Sequence, residues 1–216
     1  MRETYHHELD QLVDGLVKMT ELVENTMSRA TNALLHVDLS LADQVIADDE
    51  AVIQLHRELD DQAIEMLARQ QPVATDLRTI VSSLRITEDL KRMSRLARHV
   101  AEVAKARHPR CAVPADLRAM VTEMGQVAVR ITDRTAKAIA LRDPRALDDL
   151  ELDDNEMDRL QLALYERLSD NGWPHGTEVG MDMALVGRYY ERYADHAVSV
   201  ARRVAFVAGR HAFDRT

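Results

Sequence analysis

Glu191 and Asp195 stand four positions apart in the stretch YYERYADHA, Tyr189–Ala197. On a helix that spacing sends both carboxylates to one face. Two like charges so placed repel each other unless a cation lies between them. The preceding segment, DDLELDDNEMD, places seven carboxylates in eleven residues, Asp148–Asp158, and Asp154 and Asp158 are again four apart. Two such pairs on neighbouring helices can converge on one metal ion. All-oxygen ligation suits Mg2+, Mn2+, Ca2+ or iron better than a metal that prefers thiolates. The same acids also fit a plainer role. Near a helix start they complement the helix dipole and keep the surface wet, and Glu191 has Arg188 and Arg192 close by in sequence for pairing. His196 is adjacent to Asp195 but about 100° round the helix, so it points elsewhere.

Positioning these acids requires long helices, and the composition supplies them. The chain has 216 residues, only seven Gly and five Pro, 4 % aromatics and 30 % charged residues. Leu9, Leu16, Val23, Ala30 and Val37 recur every seven positions, with Leu12, Met19, Thr26 and Ala33 interleaved. That pattern is a coiled-coil-like seam. Asp38-Leu-Ser40 breaks it, with Ser40 expected to cap a second helix. QQPVATD, at Pro72, ends the second helix. RHPRCAVP, Arg107–Pro114, ends the third and separates two halves. The second half repeats the plan: helices over about 115–142, 145–169 and 177–208, with DNGWPHG as the one Gly-rich turn. Trp173 in that turn is expected to cap the bundle end or to offer a partner contact. The methionines fall mostly at core spacing.

The halves align residue by residue. Asp38, Asp43, Asp48 and Asp49 fall on Asp143, Asp148, Asp153 and Asp154, each 105 positions later, and Arg92, Ala97 and Ala101 fall on Arg192, Ala197 and Ala201, each 100 later. The fold class expected is all-α: two tandem three-helix bundles, six long antiparallel helices from an internal duplication, over 1–108 and 114–216. Each half is expected to bury its apolar stripes against its own helices. At the acidic positions the copies differ. Lys91 and Arg95 stand where Glu191 and Asp195 do, and Ile53 stands where Asp158 does. The first half is therefore expected to hold no metal there, with Lys91 and Arg95 neutralising Asp48 and Asp49.

These features together resemble the PhoU family of phosphate-signalling regulators. YYERYADHA is similar to that family's Glu/Asp-x-x-x-Asp motif on the third helix of each bundle. EDLKRMSRLA, Glu88–Ala97, matches the frame of the first copy but departs at both acids, and QQPVATDLR, Gln70–Arg78, resembles the opening of the family's third helix. The resemblance covers essentially the whole chain. It implies a cytoplasmic, usually dimeric adaptor between a phosphate-specific ABC transporter, through its ATPase, and a membrane sensor histidine kinase. It also implies repression of the phosphate-starvation response. The cofactor implied is a divalent metal or iron (Mg, Mn, Zn or Fe), carried over to Glu191 and Asp195 directly. Asp154 and Asp158 join them by the neighbouring-helix reasoning above.

Several classes are disfavoured. A net charge of −9 argues against a nucleic-acid binder. No apolar run approaches the roughly 18 residues of a membrane span, so membrane contact is expected only through partners. The first ten residues lack a signal-peptide core, and a lone Cys111 forms no internal disulfide, so a cytoplasmic setting is expected. No Gly-rich phosphate loop, Gly-x-Ser-x-Gly or His-Glu-x-x-His occurs, and the chain is expected not to be an enzyme. A carboxylate-bridged di-metal enzyme would need Glu-x-x-His on two helices, and only Glu3–His6 has it. A metal-independent helical scaffold is the other alternative. The histidines other than His196 lack ligand spacing and are assigned no role.

Overall fold

The computed structural model describes residues 2–209, without the side chains of 2–4 and of Gln70. Met1 and 210–216, which include His211, lie outside the described residues, as does the side chain of Glu3. Six long helices follow in order: α1 Arg2–His36, α2 Leu39–Gln70, α3 Ala74–Arg107, α4 Arg118–Leu141, α5 Ala146–Leu168 and α6 Gly176–Val207. A single 3-10 turn, Ala115–Leu117, leads into α4. Short connections within each half force its helices to run antiparallel.

The seam on α1 is the buried stripe. Leu9, Leu12, Leu16, Met19, Val23, Met27 and Ala30 are all buried. α1 ends where Val37 adopts a left-handed backbone. The cap of α2 is Asp38 rather than Ser40: its Oδ1 accepts the Leu41 N–H at 2.9 Å. α1 stops at His36 and α2 begins at Leu39, so Asp38 holds the cap position and Ser40 lies already inside the helix. Met19, Met27, Met66, Met93 and Met124 lie in the core.

The duplication is visible in the burial pattern. Leu16, Met19, Val23 and Ala30 of α1 correspond to Val121, Met124, Ala128 and Thr135 of α4, all buried. Val45, Val52 and Leu59 correspond in the same way to Leu150, Met157 and Leu164, and Leu90, Met93 and Ala97 to Tyr190, Tyr193 and Ala197. The halves do not bury their stripes separately, however. α1 packs along α4 and α3 along α6, and one continuous core runs through both. The cause lies in the stripes themselves. α1, α3, α4 and α6 are apolar or small over more than one face, so each must cover two neighbours. Gly125 permits the α1–α4 approach: a Cβ there would lie 2.6 Å from Thr31 Cγ2. The Thr31 and Tyr190 hydroxyls bond at 2.6 Å, and Thr132 donates to the Tyr193 hydroxyl at 2.9 Å. Burial raises the pKa of both tyrosines, so they stay neutral donors and acceptors.

Candidate functional site

The acidic site lies where α5 meets α6. Gly187 sets the separation, since a Cβ there would come within 2.7 Å of Leu164 Cδ2 on α5. One turn beyond it, Glu191 is held low in the groove, its side chain only 13 % exposed. Asp154 faces it from α5, partly buried, while Asp158 and Asp195 stand exposed at the rim. All four sequence-identified acids therefore share one electrostatic neighbourhood.

Its strain is concentrated on Asp154. The Oδ1 atom is buried and has no hydrogen-bond partner. Burial, followed by repulsion from Asp158 and Asp195, pushes its carboxyl up to about 6, with Glu191 adding to the rise and Arg202 opposing it. Burial and the Asp195 charge likewise raise Glu191, although Arg188 donates to both of its carboxylate oxygens at 2.6 Å. Two carboxyls raised in this way mark crowded, partly desolvated like charges.

The first half shows why the second is strained. Asp49, the counterpart of Asp154, is also buried, 3 % exposed. It accepts a hydrogen bond from Ser94 Oγ at 2.7 Å, and Arg98 pairs with it at 3.5 Å. One hundred positions later those two partners have become Ala194 and Val198. The second copy lacks the donors that satisfy Asp49 and has two further acids, Glu191 and Asp195, around its partly buried aspartate. The pair on the other side of the helix is kept in both copies. Arg29 binds Asp48 at 2.6 Å, and its counterpart Arg134 binds Asp153 at 2.8 Å, with Arg130 also at 2.8 Å.

One expectation needs correction. Lys91 and Arg95 do not neutralise Asp48 and Asp49, because those acids are already served by Arg29 and by Ser94 with Arg98. Lys91 pairs with Glu88 one turn away and lies 3.2 Å from the His56 ring. Arg95 is exposed and turned toward α6. Among the described residues, no group of three or more His, Cys, Asp or Glu side chains in the second copy or elsewhere could hold a metal as it stands. Arg188 occupies Glu191, and the rim acids point to solvent. The residues still suit a hard cation in one respect, the unsatisfied Asp154 oxygen. Swinging Glu191 from Arg188 toward Asp154 would complete an all-oxygen set with Asp158 or Asp195.

Sequence reasoning missed a second cluster. Asp89 on α3, 6 % exposed, bridges the two halves: His196 lies 3.0 Å from it, and Ser199 and Arg203 donate to it at 3.0 Å. Burial alone would raise its carboxyl. The bonds from His196, Arg203 and Ser199 more than offset that and hold it below the usual aspartate range. His196 is thus a structural partner of α3 rather than a metal ligand. Trp173 donates from Nε1 to the Gly176 carbonyl at 2.8 Å and closes the turn before α6. Among the described residues no helix is long and apolar enough to cross a membrane.

Comparison with known proteins agrees with this duplicated architecture. A family model described as the PhoU domain matches twice, over residues 16–104 and 121–204. The chain is 43 % identical over 208 residues to the phosphate-specific transport system accessory protein PhoU homolog 2 of Mycobacterium tuberculosis, covering 96 % of this chain and 98 % of that one. It is 27 % identical to the accessory protein PhoU homolog of Rhizobium meliloti, covering 94 % of this chain and 86 % of that one. Among solved structures, PhoU from Pseudomonas aeruginosa superposes with a TM-score of 0.85 at 27 % identity, over 96 % of this chain and 100 % of that one. The PhoU structure from Streptococcus pneumoniae, at 20 % identity and TM-score 0.87, shares the fold.

Proposed function

Because the chain belongs to the PhoU family, we propose that it is a non-enzymatic regulatory adaptor of phosphate-specific transport, with a cation-dependent second bundle. It docks in the cytoplasm, as a homodimer, on the ATPase of a phosphate-specific ABC transporter and on a sensor histidine kinase. In that position it represses the phosphate-starvation response when phosphate is plentiful. The transporter link is supported by the names of relatives that span nearly the whole chain.

The observation that carries the cation-dependent part is the orphaned Asp154 oxygen amid three further acids. Glu191, Asp195, Asp154 and Asp158 would hold a divalent metal or iron, and the bound charge would offset the repulsion that Arg188 and Arg202 leave. The chain's own part is mechanical. Asp154 and Asp158 are on α5 while Glu191 and Asp195 are on α6, so quenching their repulsion draws the two helices together. The first half needs no ion, since Ser94 and Arg98 already satisfy Asp49.

The test is affinity capture of the tagged chain from phosphate-replete and phosphate-starved cells, with and without a chelator. Recovery of a transporter ATPase or a histidine kinase supports the adaptor reading, and loss of either on chelation supports the role of the cation. Recovery of neither under any condition would overturn the adaptor reading.

A further inference from the structure

The reversal of charge in the first copy has a structural outcome beside the acidic site. Arg95 replaces a motif acid, and its side chain enters a groove between α3 and α6 of about 320 Å³. The groove is lined by Arg92, Arg95 and His99 from α3 and by Arg188, Arg192 and His196 from α6, with Leu96 and Tyr189 as its less polar surfaces. No acid is among these lining residues, but Glu102 pairs with His99 at 2.9 Å and Asp89 with His196 at 3.0 Å just behind them. Four guanidinium groups in one concavity repel each other. Arg92 is compensated by Glu88 at 3.2 Å and Arg188 by Glu191. Arg95 and Arg192 have no ion pair or hydrogen bond among the described residues. The seam thus contains two uncompensated positive charges flanked by two compensated ones, drawn from both halves of the duplication.

We propose that this groove binds a phosphorylated small molecule through its phosphate oxygens. The reasons are chemical. Guanidinium forks match tetrahedral oxyanions in a bidentate manner and retain their charge at all physiological pH values. The volume falls within the ~300–1,000 Å³ usual for small-molecule sites. Tyr189, its ring 5.2 Å from that of His99 at a 32° tilt, offers a surface for a nucleoside or other organic portion. The groove is separate from the acidic site but shares one contact with it. Arg188 is divided between Glu191 and the groove, so releasing it from Glu191 strengthens the anion site. The proposal stands on the α3–α6 geometry alone and does not depend on a cation at the acids.

The test is isothermal titration of the full chain in chelator and about 0.15 M salt, with inorganic phosphate, pyrophosphate and ADP in separate arms. Binding tighter than about 1 mM in any arm is expected. Saturation by inorganic phosphate or pyrophosphate identifies an inorganic source, and tighter binding of ADP identifies a nucleotide. Arg95→Ser and Arg192→Ser should each weaken binding about tenfold or more. Both residues are exposed and uncompensated, so melting should not fall, whereas Arg57→Ser, remote from the groove, should bind normally. Glu191→Gln, which deprives Arg188 of its partner, should tighten binding. No binding in any arm, or unchanged affinity in the Arg95→Ser/Arg192→Ser double variant, overturns the proposal.

Discussion

Replacing Asp154 with Asn removes the charge and keeps the shape. The structure gives the sign of the effect. The folded-state carboxyl rises from 3.8 to about 6, roughly two units, and each unit corresponds to about 1.4 kcal/mol. The full shift would be about 3 kcal/mol. Asp154 is only partly buried, and solvent screening reduces this to about 1–2 kcal/mol. Because the pKa is raised, the native state holds its proton more tightly than the unfolded chain. The associated stability is complete below pH 3.8 and is lost as pH rises through about 6. Above pH 6 the wild-type chain carries the whole penalty unless a cation offsets it. Asp154→Asn should therefore be more stable than wild type at pH 7.5 in chelator. At about 2–4 °C per kcal/mol for a chain of this size, the gain is about 2–8 °C in melting temperature, shrinking to nothing near pH 4. The assay is thermal unfolding by circular dichroism across pH 4–8. A variant no more stable than wild type at pH 7.5 would show that Asp154 is not held at a net cost, and the reasoning from its orphaned oxygen would fail.

Three further outcomes follow from the packing. Tyr190→Phe removes the Thr31–Tyr190 bond between the halves and should cost about 0.5–1.5 kcal/mol, read by urea unfolding. Gly125→Ala places a methyl 2.6 Å from Thr31 Cγ2 and should cost about 1–3 kcal/mol by overpacking the α1–α4 seam. Asp89→Asn deprives His196 and Arg203 of their anion and should cost about 1–3 kcal/mol at neutral pH. Since the pKa of Asp89 is lowered, the stability it contributes is present above 3.8 and lost as pH falls below that value, so the difference between variant and wild type should close in acid.

Much of the fold was legible because helical periodicity is a one-dimensional signal. The seven-residue seam of α1, the break at Asp38 and the matching aspartates of the two copies can all be read along the chain. Residue type alone allows Ser40 as the cap, because the left-handed turn at Val37 has no signature in residue type. The packing of α1 on α4 and of α3 on α6 was not legible, since periodicity reports how wide a face is buried but not which helix covers it. The four acids were found by spacing on one helix and correspondence on the next. What makes Asp154 an orphan was also present in the sequence, in the change from Ser94 and Arg98 to Ala194 and Val198, but it gains meaning only once Ser94 and Arg98 are seen to touch Asp49. Lys91 and Arg95 were assigned to the wrong acids for the same reason. Asp89 and its partners are 107–114 positions apart, and nothing in local spacing links them.

The most direct measurement is anomalous scattering from crystals of this chain soaked in Mn2+. Occupancy is expected at one position per chain, beside Asp154 between α5 and α6, with Glu191 drawn away from Arg188 to meet the ion. The corresponding position beside Lys91 and Arg95 should show none. Density in both halves, or an ordered water on Asp154 with Glu191 still paired to Arg188 and no Mn2+ nearby, would contradict the account.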